Sequence, residues 1–392
     1  VHNGATTERG GIIWDGEDTS VTEGAKIVWE VTDVADDGTN LTITWQASYD
    51  GAGVDPCNAT PAAGAPAFFA LPPFTPPGGE PQNRNNLSIL RSYAQGEDFI
   101  LGTNPNGAGQ PGSAQGVSAE NTTCSGNVAT TVVPVEETDA MYGRLAIQGK
   151  PWVVAVDPED ADGVMQVRAV TPTYDWVVGA GGAAPVVRRA VVDTALCLDC
   201  HVGSLYQHGG NRVDNIDMCY LCHNPAANDE YVRVGTFGVD SSEAYDGRAG
   251  QAFGIKEMVH AVHPASERGN RIVIYRGRGI YAWATDESQL SNWPGSGDDL
   301  PVFGSDDGSG NPVLQNHIFH APTYPRGLYD CAACHVGNFA VLPDATKAMA
   351  TTVEAGEPPF GDQTNDVLEG VQTSSCVTCH ADSAAKGHAY QN

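Results

Sequence analysis

The sequence predicts two domains of unlike character: an all-β domain, sandwich or barrel, over residues 1–187, and a second over 188–392 with sparse, mostly short helical secondary structure. Three observations predict this. Apolar residues alternate with polar ones at the strand period through the first half. Clusters of turn-forming residues separate those stretches. Eight of the ten cysteines lie beyond residue 196, in four like units that divide the second half into short segments.

The alternating stretches are AKIVWEV (25–31), LTITWQASY (41–49), GRLAIQG (143–149), PWVVAV (151–156) and VMQVRAV (164–170). Successive strand side chains point to opposite faces of a sheet, so each stretch offers one apolar face to a core. DDGTN (36–40), PPGGE (76–80) and EDADG (159–163) supply the turns between them. Long irregular loops are expected at 59–81, rich in Ala and Pro, and at 102–116. Cys57 and Cys124 stand alone in this half and read as a disulfide. Two acidic turns, 157–163 and 306–310, make calcium a second candidate cofactor; they lack the alternating ligand spacing and read first as solvated turns.

The four units of the second half are C-x-x-C-H: Cys197, Cys200 and His201; Cys219, Cys222 and His223; Cys331, Cys334 and His335; Cys376, Cys379 and His380. Two thiols three positions apart reach the two vinyl groups of one porphyrin as thioethers, and the adjacent imidazole meets the iron from the same face. Each unit predicts one covalent haem c, four in all. A zinc site would not ask for His directly after the second Cys four times over. With porphyrins supplying most of the apolar core, the polypeptide from Arg188 onward is expected to be a thin wrapping, with 257–263 a helix candidate.

The second axial position of each iron separates a carrier from a catalyst. Seven histidines remain for it: His2, His208, His260, His263, His317, His320 and His388. Four irons need four, so bis-histidine ligation throughout is within reach and would close every iron to substrate. His260 and His263 in MVHAVH stand at i and i+3, about 5 to 6 Å apart at Cβ on one helical face, and can serve neighbouring haems. His317 and His320 in NHIFHAP repeat that spacing and compete with them. His2, at a chain end, either has no ligand role in its own domain or reaches a haem of the next subunit. Arg212, Arg276 and Arg278 are either partners of haem propionates or solvated loop arginines.

The net charge of −28 excludes nucleic acid and anionic membranes as partners and favours cationic carriers or positively charged mineral surfaces. Haem c attachment and a disulfide both belong outside the cytoplasm, so an extracellular or cell-surface location is expected. The sequence begins at Val1 without an initiator Met and reads as a mature form whose signal peptide has been removed. Asp, Gly or Pro breaks every apolar stretch within about ten residues, so no transmembrane segment is expected.

The run RRAVVD..LC..CH....HGGNRVDN...CY.CHNPAAND, followed by EMVHAVH, TYPRGLYDCAACH and SSCVTCHADSAAKGHAYQN, resembles the OmcA/MtrC family of outer-surface multihaem c-type cytochromes from metal-respiring bacteria. The resemblance covers most of 188–392, with 264–314 diverging. It implies a barrel or split-barrel domain ahead of a haem domain, and His208, His260, His263 and His388 as distal ligands. His2, His317 and His320 stay unassigned. Family members usually carry ten or more haems, whereas this sequence has four units, and AVLPDATKAMATTVEAGEPPFGDQTNDV stands where a further one would lie. These departures favour head-to-tail assembly into a conductive filament. The expected function is extracellular electron transfer by a tetrahaem carrier that is not an enzyme. The alternatives are a reductase with one open haem, and a surface cytochrome whose β-domain binds a mineral such as a metal oxide, or a redox protein partner.

Overall fold

The computed structural model describes residues 13–14, 16–75, 84, 87–104, 109–185, 188–201, 204–265, 272–276, 279–284, 288, 290, 305–306, 312–313, 316–320, 324–337, 351–353, 367–378, 380 and 383–389. The chain divides into two compact units. The first takes in Val1–Thr103, Pro111–Leu221 and Ala333–Val336; the second Asn104–Gln110, Cys222–Ala332 and Gly337–Asn392. Residues 188–221, with the first C-x-x-C-H unit, thus pack with the β-rich part.

The first unit is a sandwich of two antiparallel sheets, and among the described residues neither closes into a barrel. Its strands are β1 (Ile27–Asp36), β2 (Asn40–Tyr49), β3 (Ala52–Gly53), β4 (Ser88–Ala94), β5 (Gln115–Gly116), β6 (Thr122–Ser125), β7 (Val128–Pro134), β8 (Tyr142–Gln148), β9 (Trp152–Val154), β10 (Val164–Gln166) and β11 (Thr173–Val177). One sheet runs β1-β2-β7-β6 with β3 paired to β2; the other runs β11-β8-β4-β5, and β9 and β10 form a hairpin. A short helix, α1 (Thr19–Gly24), precedes β1.

Alternation dictates which residues enter the core. Leu41, Ile43, Trp45 and Ala47 of β2 are buried in strict register. In β1 the inward set Ile27, Trp29 and Val31 gives way to Val34 and Asp36, because the pairing shifts between Val31 and Asp33. One extra residue in a strand reverses its facing, which brings Val34 to the core. Asp36 is buried and accepts from Trp176 Nε1 at 3.0 Å and from Gly179 N at 2.9 Å, so its carboxylate joins β1 to the end of β11. The Trp176 ring lies on Gly143, where a Cβ would sit 2.2 Å from a ring carbon.

The loop over 59–75 also enters the core. Phe68 is buried between Trp29, at 6.0 Å, and the edge of Trp45, at 5.8 Å. Reciprocal backbone bonds of 2.8 Å between Ala67 and Trp152 hold it there. Cys57 and Cys124 form the expected disulfide, with Cα atoms 5.9 Å apart.

At 157–163 the acidic residues act as turn formers, the first of the two readings of that stretch. Asp157 Oδ1 accepts from Glu159 N and Asp160 Oδ1 from Asp162 N and Gly163 N, while Asp162 pairs with Arg84, so these carboxylates close the turn. Among the described residues the one cluster with metal-ligand spacing is Asp55, Cys57 and Cys124, whose sulfurs are spent in the disulfide. Residues 307–310 of the other turn lie outside the described residues. No described helix is long and apolar enough to cross a membrane.

The second unit has a side-chain core around one sheet. Strands β12 (Ile272–Arg276), β13 (Gly279–Ala284) and β14 (Asn316–His320) form a sheet in which β13 and β14 run parallel. Val273, Tyr275, Ile280, Ala282 and Ala284 pack with Ala244 and Leu290. Against them Arg233 is fully buried, paired two-pronged with Asp229 at 2.7 and 3.0 Å and with Asp246 at 2.7 and 2.9 Å. It also donates to the Val273 and Arg248 carbonyls, while Asp229 accepts from Gln251 N and Tyr275 N. A guanidinium with both carboxylates bidentate satisfies every charge it buries.

Candidate haem-attachment centres

Each attachment unit whose local fold is described sits on a short helical turn. In the first unit of the fold, α2 (Thr194–Leu198) is capped by Asp193, which accepts from Ala195 N at 2.9 Å, and carries Cys197 in its last turn. His201 N then donates to Cys197 O at 2.9 Å. α3 (Ile216–Cys219) is capped by Asn215 and ends on Cys219. Cys197 and Cys219 stand alike, each thiol donating to the carbonyl four residues back, at 3.5 and 3.4 Å. Cys331–Ala333 is a 3₁₀ turn. In the second unit of the fold, α5 (Val371–Val377) carries Cys376, and His380 N donates to Cys376 O at 2.8 Å, the same turn as at His201. The seven described cysteines of these units are all free thiols; Cys379 lies outside the described residues.

The imidazoles are oriented from behind. His223 Nδ1 lies 2.8 Å from the Phe253 carbonyl, and the two rings meet edge-on at 5.6 Å. His335 Nδ1 lies 3.1 Å from Val191 O, and His263 Nδ1 2.9 Å from Val259 O. A carbonyl oxygen only accepts, so each of these rings holds its proton on Nδ1 and its lone pair on Nε2. That is the tautomer a metal-ligating histidine adopts with a backbone partner behind it. Burial pushes the His335 imidazole below its ordinary pKa, which favours the neutral, ligating form.

Packing brings the units together in pairs. Val192 bridges His335, Asp193 N donates to Cys334 O at 3.3 Å, and Val336 N to Val191 O at 3.2 Å, so the third unit lies against the strand entering the first. Burial and the neighbouring Cys334 both raise the Cys197 thiol pKa. In the second unit of the fold, helix α4 (Ile255–Val262) starts where Ile255 N donates to His223 O at 2.9 Å. It packs on α5, with Lys256 Nζ 2.6 Å from Ser374 Oγ. His260 and His263 thus ride on a helix between the second and fourth attachment units.

The other predicted ligands are less gathered. His208 opens a 3₁₀ turn, His208–Gly210, at the tip of a ladder pairing Tyr206–Gln207 with Arg212–Val213, and takes φ +55°. A non-glycine residue there is uncommon, and such backbone clusters at functional sites. His388 is exposed on α6 (Ser383–Ala389). His317 and His320 fall on β14 at positions paired with Tyr281 and Ala284, so the helical argument that groups His260 with His263 does not extend to them. His2 lies outside the described residues, as does Arg278. Arg212 donates to Gln148 Oε1 at 2.9 Å, and Arg276 lies over the Tyr281 ring at 5.4 Å. The orienting groups Val191 and Phe253 act through backbone carbonyls, which leave no side-chain signal in the sequence.

Free thiols on helical turns followed by an imidazole, with the lone pairs of His223 and His335 directed by backbone carbonyls, are the groups that thioether-bound haem requires. They fit the group and define a c-type cytochrome. More narrowly, the chain belongs to the family described as outer membrane cytochrome MtrC/MtrF-like, domains II/IV, whose model matches residues 189–392, just over half of the chain. It is similar to the outer membrane decaheme cytochrome OmcA, with 13% identity over 91% of this chain and 43% of that one and a TM-score of 0.40. It is also similar to MtrC from Shewanella baltica OS185, with 14% identity over 64% of this chain and 40% of that one and a TM-score of 0.37. The chain spans less than half the length of either. No curated protein matches it.

Proposed function

We propose that this protein is an extracellular tetrahaem electron carrier with histidine on both faces of every iron. The observation that carries the reading is the set of carbonyl-held imidazoles at His223, His335 and His263, two of them directly following a free thiol of an attachment unit. Bound haem supplies a reversible one-electron couple. The chain's part is to fix position and environment. The cysteine pairs anchor each macrocycle, and His201, His223, His335 and His380 serve as proximal ligands. His208, His260, His263 and His388 serve as distal ligands. The pairing of the first unit with the third, and α4 between the second and fourth, support two close pairs of redox centres. Haem c and the disulfide support a location outside the cytoplasm, and the −28 charge supports cationic or oxide-surface acceptors.

Carbon monoxide tests the ligation. The reduced protein should show no carbon monoxide band, and His263→Ala should open one iron and create it. A band in the parent protein would favour a reductase with an open haem. The filament reading, with His2 crossing between copies, is tested by electron microscopy of the protein beside His2→Ala: filaments lost in the variant support it, and single particles in both overturn it.

A further inference from the structure

Three cations converge on the hairpin that carries His208. Lys150 is half-buried directly after β8, and its stem runs under the hairpin: a Cβ added to Gly210 would meet Lys150 Cδ at 3.4 Å and Arg168 Nε at 3.6 Å. Gly149 N donates to Asn211 O at 3.0 Å, and Arg212 Nε to Gln148 Oε1, so both strands of the cluster are locked in place. Arg168 is paired with Asp18 at 2.9 Å and stacks on Tyr206 at 3.5 Å. Among the described residues no carboxylate pairs with Lys150 or Arg212. Burial and the neighbouring Arg168 lower the Lys150 pKa, so the folded chain holds this charge at a cost. In a chain with 48 acidic and 20 basic residues, carboxylates to neutralise it are plentiful, yet none among the described residues pairs with it.

We infer that Lys150 and Arg212 form a site for the propionate carboxylates of the haem whose iron His208 ligates. The inference rests on the haem reading above. A haem ligated from the hairpin tip would lie over the hairpin that Lys150 underlies and whose second strand carries Arg212. Propionates are the anions such a macrocycle brings with it. Two donors, one ammonium and one guanidinium, would offset two carboxylates and keep the Lys150 charge paired.

The test is a redox titration of the full protein and of a variant carrying Lys150→Met and Arg212→Gln, after attached haem has been counted in both. Removing two positive charges beside one centre favours its oxidised form. One midpoint potential should move down while the others stay, and Lys150→Arg alone should leave all of them in place. Where the double variant fails to mature, Arg212→Gln alone carries the test with a smaller downward shift. Unchanged potentials in a variant with its full haem complement overturn the assignment. A parent protein without haem would overturn instead the reading on which it rests.

Discussion

Replacing Cys57 and Cys124 together by serine removes a tie between positions 67 apart in sequence. For a loop of that size the chain-entropy relation gives a loss of about 15 cal/mol/K from the unfolded ensemble, or about 4 kcal/mol at 25 °C. The structure places this loss in the sandwich. Cys124 lies on β6, at the edge of one sheet, and Cys57 opens the segment that delivers Phe68 between Trp29 and Trp45. Asn58, next to Cys57, donates to the Ala65 and Pro66 carbonyls, so the same tie steadies the inserted loop. With a urea slope of roughly 2 kcal/mol per molar, the unfolding midpoint should drop by about 2 M. The assay is urea unfolding of the parent and the double variant, followed by circular dichroism, with the parent also measured in dithiothreitol. Thioether-bound haem survives that reductant, so reduced parent and variant should agree. A drop of less than about 0.5 M in both would refute the claim that this bridge limits the freedom of the unfolded first unit.

Three further outcomes follow from the packing. Gly143→Ala drives a methyl into Trp176 and should lower stability by about 1–3 kcal/mol, read as a shifted urea midpoint. Arg233→Ala leaves Asp229 and Asp246 buried without their cation and should cost about 3–5 kcal/mol; Arg233→Lys should not rescue it, because an ammonium cannot reproduce two bidentate pairs. Limited proteolysis should then show cleavage in the second unit first. At alkaline pH, burial raises the phenols of Tyr93, Tyr220 and Tyr275, the last to about 12. Unfolded phenols ionise near about pH 10, so the unfolded chain binds fewer protons above that value and stability falls as pH rises from about 10 towards 12. Thermal melting across that range checks the sign.

The sequence made legible whatever has a fixed short period. Alternation located β1, β2, β8, β9 and β10, the lone pair of cysteines found its bridge, and the helix expected at 257–263 stands at Ile255–Val262. Phe68 was hidden because it sits in an Ala- and Pro-rich stretch that has no strand period yet closes the aromatic core. The shift at Thr32 was hidden because a single added residue leaves the composition unchanged. Arg233 and its two aspartates carry no motif, since their neutralisation depends on side chains brought together by the fold. The attachment motifs are visible residue by residue. Their pairing is not: Val191 and His335 meet across more than a hundred residues, and the orienting atom is a carbonyl that every residue possesses.

The central claim is that four C-x-x-C-H units each hold a haem through thioethers, and intact mass spectrometry of the unfolded protein tests it most directly. Covalent haem survives unfolding, so the account predicts the mass of the polypeptide plus four haems. Mutating Cys376 and Cys379 together should remove one of the four. A parent mass equal to the polypeptide alone, or to fewer than four haems in fully matured protein, would contradict the account.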